Sequence, residues 1–273
     1  MTERAKYRPF TGDSQKTVRL QNAPLELVLC QVRWPEMSFL QDDQLRPLAL
    51  KFGQSMAADY PIYSEAKEIN YSITPEGVTQ TVVGSVFQWV SVDQAWHISL
   101  AKRFVTLYCT HYTDYAEFSE RLRVALANVR ELLNVQVIDR VGVRYVNRLM
   151  DEETISNLPN LIRPEVLGYQ ALPTATGEVA IRSSANQAIY TVADASLQVR
   201  SGMIPAGETV DPAIAPLTGR SWVLDLDASV EARSMLDVDV VTDRASQLSD
   251  IAYDYFKYVI SEGFVDHFGG APQ

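Results

Sequence analysis

Cysteine and histidine are scarce in this chain of 273 residues, and their scarcity narrows its chemistry. There are two cysteines, Cys30 and Cys109, and three histidines, His97, His111 and His267. No second Cys or His stands at metal-ligand spacing from any of them, so neither a zinc centre nor a disulfide framework is expected. Both cysteines lie in apolar, strand-like runs, which points to buried, unreactive thiols in a reducing cytoplasm. No apolar run approaches the roughly 20 residues that cross a bilayer. The N-terminal stretch MTERAKYRPFTGDSQKTVRLQ has no hydrophobic core, so a signal peptide is not expected. Gly-x-Ser-x-Gly, a Walker loop, Gly-x-Gly-x-x-Gly and His-Glu-x-x-His are all missing from the sequence. On these grounds no catalytic residue is assigned and no cofactor is expected. His97 and His111 flank one predicted strand, where a histidine is more often a hydrogen-bonded structural residue than a general base.

Positive charge is also short. Lys plus Arg number 24 against 34 Asp plus Glu, a net charge of −10. Such a chain repels phosphate backbones, which disfavours nucleic acid as a partner. The hydrophobic fraction of 47% is ample for a large core. Trp34, Trp89, Trp96 and Trp222 fall on or at the ends of predicted strands, in core or lining a pocket between sheet and helices.

The most strongly patterned stretch is DRVGVRYVNRLM at 139–150. Its period is two. Val141, Val143, Tyr145, Asn147 and Leu149 share one face; Arg140, Gly142, Arg144, Val146 and Arg148 share the other. The three arginines project to one side at multiples of roughly 7 Å. A row of this kind can hold carboxylates or phosphates through bidentate hydrogen bonds, or it can pair with acids on neighbouring strands. A second constellation is Asp225 and Asp227, two apart on the strand 221–228. They could share a divalent cation, pair with Arg144 or Arg148, or face solvent. Glu65, Glu68 and Glu76 add carboxylates that sequence cannot place.

In chain order, residues 1–21 are polar and are expected to be flexible. LELVLC and its continuation after Pro24 read as a strand buried on both faces. Residues 38–60 carry a weaker helical signal, with Phe39, Leu40, Leu45, Leu48, Leu50 and Phe52 on one side and Pro47 marking a second start. From 62 to 110 the period is two, with short links that imply antiparallel hairpins and a turn at Pro75-Glu76-Gly77. Thr113 or Asp114 caps the best amphipathic helix, 115–133. Residues 151–177 are loop-like with some helical turns. Strands are then expected at 178–182, 188–192 and 196–204, and a long aperiodic loop at 205–219. The strand 221–228 and a helix capped by Thr242-Asp243 complete the chain.

Strands followed by a Thr-Asp-capped helix occur twice. The expected fold is therefore α+β, with antiparallel sheet in two similar halves, 22–150 and 151–273, each covered by a long amphipathic helix. The stretches PLELVLCQVRWP, RVGVRYVNRL and IAYDYFKYVISEGF together resemble a sporadically distributed bacterial family of unknown function. Its members share a Pro-Leu-rich first strand, a central Val-Arg-Tyr-Val-Asn-Arg strand and a C-terminal helix ending, as here, in Phe256, Ile260 and Ser261. The resemblance implies a bacterial cytoplasmic protein and supplies no activity. The first functional expectation is a non-catalytic binding or interaction protein, with a protein partner or self-association through a sheet edge or helix face. The alternative is an enzyme or sensor for a small anionic, phosphorylated ligand. Arg140, Arg144 and Arg148 would then clamp the anion, and Asp225 and Asp227 would hold a metal.

Overall fold

A computed structural model describes residues 6–13, 17–74, 77–172 and 179–272, with side chains except at 42, 68–83, 271 and 272. Pro75 and Glu76 of the expected turn lie outside the described residues, and the side chain of Glu68 lies outside them too. In order, the elements are β1 (Val18–Leu20), β2 (Leu25–Arg33), α1 (Asp42–Ser55), β3 (Ile62–Thr74), β4 (Gly77–Val90), β5 (Trp96–Ala101), β6 (Phe104–Cys109), α2 (Tyr115–Leu132) and β7 (Val137–Leu149). There follow α3 (Glu152–Ser156), α4 (Leu158–Leu161), α5 (Pro164–Leu167), a 3-10 turn (Gly168–Ala171), β8 (Asn186–Val192), β9 (Ala195–Ile204), β10 (Ser221–Met235), α6 (Val238–Val259), α7 (Glu262–His267) and β11 (Gly270–Pro272).

The fold is α+β, built on one large antiparallel sheet of nine strands in the order β3-β4-β5-β6-β2-β7-β10-β9-β8. β1 and β11 form a separate antiparallel pair. Leu27, Val28, Cys30 and Val32 are all fully buried, so β2 is covered on both faces as its sequence predicts. The chain divides into two compact units drawn from separated stretches: Leu29–Gly142 with Glu231–Ala245, and Met1–Val28 with Val143–Val230 and Ser246–Gln273.

In the first of these units, β3 to β6 form successive antiparallel hairpins. Asp114 caps α2 by accepting from Glu117 N at 2.9 Å. The helix buries Phe118, Leu122, Ala125, Leu126 and Val129, the three- and four-residue steps of an amphipathic stripe. α1 buries Leu45, Ala49 and Phe52, with Met56 buried just beyond its end, while Phe39 and Leu50 of the expected stripe are exposed. The helix also runs straight through Pro47 instead of restarting there. An interior proline removes a hydrogen-bond donor and crowds the carbonyl four residues earlier, and the tertiary packing of the stripe outweighs that cost. Gly53 lets α1 approach Trp89: a Cβ there would stand 2.0 Å from the indole Nε1.

In the second unit, β9 and β10 pair with Asp225 opposite Arg200 and Asp227 opposite Gln198. The described part of the N-terminal stretch makes contacts with α6. Phe10 N and Thr11 N donate to Asp254 Oδ2 at 2.7 and 3.2 Å, and Arg8 pairs with Asp250 at 3.0 Å. The Phe10 ring meets Tyr255 edge-on, with centroids 5.0 Å apart. Asp254 is fully buried, and a buried carboxylate demands donors. Sequence periodicity carries no trace of that demand.

Two further expectations are corrected. Residues 179–182 form no strand; the ladder begins later, at β8. α6 starts at Val238, because Asp237 accepts from Asp239 N and Val240 N. Thr242 lies inside the helix, and its hydroxyl bonds back to Val238 O and Asp239 O. All four tryptophans are core residues, between 0% and 5% exposed.

Candidate functional site

The side chains singled out in the sequence fall into separate settings. Arg144, on β7, is the centre of one. Its Nε donates to Asp225 Oδ1 at 2.8 Å and its Nη2 to Asp225 Oδ2 at 2.9 Å, a bidentate pair. Its Nη1 donates to Asp211 Oδ2 at 2.5 Å. Asp225 also receives Arg200 Nη2, at 2.7 Å, from directly across the β9–β10 ladder. Two guanidinium groups thus meet two carboxylates, and the formal charges cancel. The side chains of Arg144 and Asp225 are only 13% and 4% exposed. Burial pulls the Arg144 pKa down, but hydrogen bonds and charge from Asp225 and Asp211 outweigh it and hold the group above the ordinary arginine value.

Asp211 belongs to the aperiodic segment 205–219. There its Oδ1 accepts from Ala213 N at 2.9 Å, and the Thr209 hydroxyl donates to Ile214 O at 2.7 Å. Ile214 is buried, so the segment has an apolar anchor of its own. Arg148 adds a second tie. It is 1% exposed, and it donates from Nε to Ser221 Oγ at 2.9 Å, from Nη1 to Ala215 O at 2.7 Å and from Nη2 to Glu208 O at 3.3 Å. Burial lowers its pKa, yet an arginine stays protonated and depends on those oxygens. Arg144 therefore grips this loop at Asp211, and Arg148 grips it on either side of that point, at Glu208 and Ala215.

Arg140 has partners of its own, Gln31 Oε1 at 3.4 Å and Glu231 Oε1 at 3.9 Å. The three arginines share a strand face but not a set of partners. Asp227, half-buried, stands opposite Gln198 and not opposite an arginine. Both oxygens of Asp225 already accept from guanidinium groups, so a divalent cation there would meet two positive charges at close range. The donor set fits an ion-pair network better than a metal. Among the described residues, no three His, Cys, Asp or Glu side chains converge to hold a metal ion.

The remaining reactive side chains are quiet. Burial pushes the Cys30 thiol up to about 12, against a smaller opposing pull from Arg140, and the Cys109 thiol is likewise pushed up to about 12. Thiolate is therefore negligible at neutral pH. His97 Nε2 is 2.9 Å from Gln94 O, and its ring stacks on Tyr108 at 4.3 Å. His267 Nε2 is 2.8 Å from Thr154 Oγ1.

Sequence reasoning missed Asp211 and Arg200, the two residues that complete the cluster. Asp211 sits in a segment without periodicity, and Arg200 faces Asp225 only through a register that a long connection leaves open. Among the described residues, no helix is long and apolar enough to cross a membrane. Compared with known proteins, the sequence matches no protein-family model and no curated protein.

Proposed function

We propose that this chain is a non-catalytic binding or interaction protein of the bacterial cytoplasm. One observation carries the reading. The arginines best suited to clamp an anion are already engaged: Arg144 by Asp225 and Asp211, Arg148 by the oxygens of Ser221, Ala215 and Glu208. Their work is to hold the 205–219 segment on the sheet. Buried, unreactive thiols and histidines in structural hydrogen bonds support the same reading, and so does the absence of nucleophile motifs from the sequence. Two buried free cysteines suit a reducing compartment, and a net charge of −10 disfavours nucleic acid. The repeated order of strands and helix supports an ancient duplication as part of this reading.

A phosphorylated ligand would instead have to displace Asp211 from Arg144. The test is thermal unfolding against nucleotides, phosphorylated metabolites and divalent ions. No stabilisation is expected. A ligand at 100 times its dissociation constant would add about 2.7 kcal/mol, a rise of roughly 5–10 °C for a chain of this size. A rise of that order, abolished by Arg144→Met, would replace the interaction reading with the anion-binding one.

A further inference from the structure

Residues 6–13 belong to no helix or strand, yet they lie against the second half of α6 through specific contacts. Arg8 Nη1 donates to Asp250 Oδ1 at 3.0 Å and to Asp250 O at 3.2 Å, and the guanidinium lies 5.1 Å from the centre of the Tyr253 ring. Two residues on, the Phe10 ring enters a cage of Tyr190, Tyr255 and Tyr258, with centroids 5.5, 5.0 and 6.2 Å away. Thr11 Oγ1 donates to Asp254 Oδ1 at 2.5 Å, beside the bonds from Phe10 N and Thr11 N to Oδ2. Gly12 N closes the turn on Arg8 O at 3.1 Å.

Asp250, Asp254 and Tyr258 are spaced i, i+4 and i+8 along α6, one row on one side of the helix. What lies on that row has the chemistry of a short bound peptide. It offers a guanidinium to Asp250, a phenyl ring to the cage, and two backbone N–H groups and a hydroxyl to Asp254. Among the described residues, every hydrogen bond to the fully buried Asp254 comes from Phe10 and Thr11. The attachment is nevertheless shallow. Lys6, Tyr7, Pro9 and Gly12 are exposed, and Phe10 is only half-buried. Arg8 Nε is buried with no hydrogen-bond partner among the described residues, which costs free energy. A segment with few buried apolar contacts opens before the rest of its fold.

We propose that this face of α6 is a peptide-recognition site and that residues 8–11 are its tethered, displaceable occupant, an autoinhibitory strap. The partner it fits is a protein segment of the same chemistry: an arginine two residues before a phenylalanine, followed by a hydroxyl residue. The inference rests on the interaction reading above and names the surface and the kind of segment it takes. Charge favours such a partner, since a basic segment meets two carboxylates on a chain of net charge −10.

Two measurements on the full chain test it. In the wild type, amide exchange at Phe10 and Thr11 is expected to run at least about a hundredfold faster than at the buried Leu248, Ile251 and Ala252 of α6, because the strap opens without unfolding the helix. Equal rates would overturn the proposal. The second measurement is fluorescence anisotropy with a labelled peptide of residues 6–13, Lys-Tyr-Arg-Pro-Phe-Thr-Gly-Asp, as the probe. Phe10→Ala and, independently, Arg8→Ala each take one anchor from the strap of the full chain. Each variant is expected to bind the peptide at least about tenfold more tightly than the wild type, since only molecules with the strap open are competent. Replacing the arginine or the phenylalanine of the peptide by alanine, or adding Asp250→Ala to the opened chain, should weaken binding at least about tenfold. Opened chains that keep the native circular dichroism and take no peptide overturn the proposal, as does binding indifferent to all three of those changes. Loss of the native circular dichroism in both variants overturns it too, because the strap is then part of the fold. None of these results touches the interaction reading, which stands or falls on the ligand panel.

Discussion

Replacing Arg144 with methionine tests the cluster most directly. Methionine keeps much of the length and packing of the side chain and removes the charge. Asp225, 4% exposed, would keep only Arg200, whose own side chain is 42% exposed. Asp211 would lose its cationic partner. At about 4 Å between charge centres and an effective dielectric of about 20, each lost attraction is worth about 4 kcal/mol before solvent compensates. Breaking a buried pair from one side costs about 3–5 kcal/mol, because the orphaned charge stays desolvated. Arg200 remains on Asp225 and Asp211 can turn toward water, so the low end, about 3 kcal/mol, is expected. Urea unfolding of the wild type, Arg144→Met, Asp225→Leu and the double variant measures it. The double variant should lose less than the sum of the singles by at least about 1.5 kcal/mol, since either single change strands the other charge. A single-variant loss below about 1 kcal/mol, or additivity within about 0.5 kcal/mol, would refute the claim that these side chains form one buried network.

Three other outcomes follow from the packing. Gly53→Ala should gain about 1 kcal/mol of helix propensity yet lose more by driving a methyl into the Trp89 indole, a net loss of about 1–2 kcal/mol in urea unfolding. Asp254→Ala removes the acceptor for Phe10 N and Thr11 N; amide exchange at those two residues should rise, with a loss of about 2 kcal/mol. Burial lowers the His97 pKa below its ordinary 6.5. Its neutral form is favoured by folding, so the stability it contributes is complete above 6.5 and is lost as the pH falls through the folded value. An imidazole titration by NMR should place the His97 midpoint below 6.5, and a midpoint above it would contradict the structure.

Most of the secondary structure could be read from the sequence, because it rests on short-range rules. Alternation placed β7 within two residues of its ends, and the stripe of Phe118, Leu122, Ala125 and Val129 together with Asp114 placed α2. The errors have a common cause in context. Pro47 looked like a break, but the buried stripe through Leu45, Ala49 and Phe52 holds α1 together across it. Thr242 looked like a cap, but Asp237 reached the free N–H groups first.

Periodicity puts Arg144 and Arg148 on one face of one strand, and any fold of this chain would inherit that. It says nothing of what lies over that face. Asp211 comes from a loop 67 positions away in the chain and Arg200 from another strand, and only strand order and register bring them to Arg144 and Asp225. Local pattern is encoded by neighbours along the chain, a few residues at a time. Partners and edges depend on contacts between distant residues, which no single stretch of sequence contains.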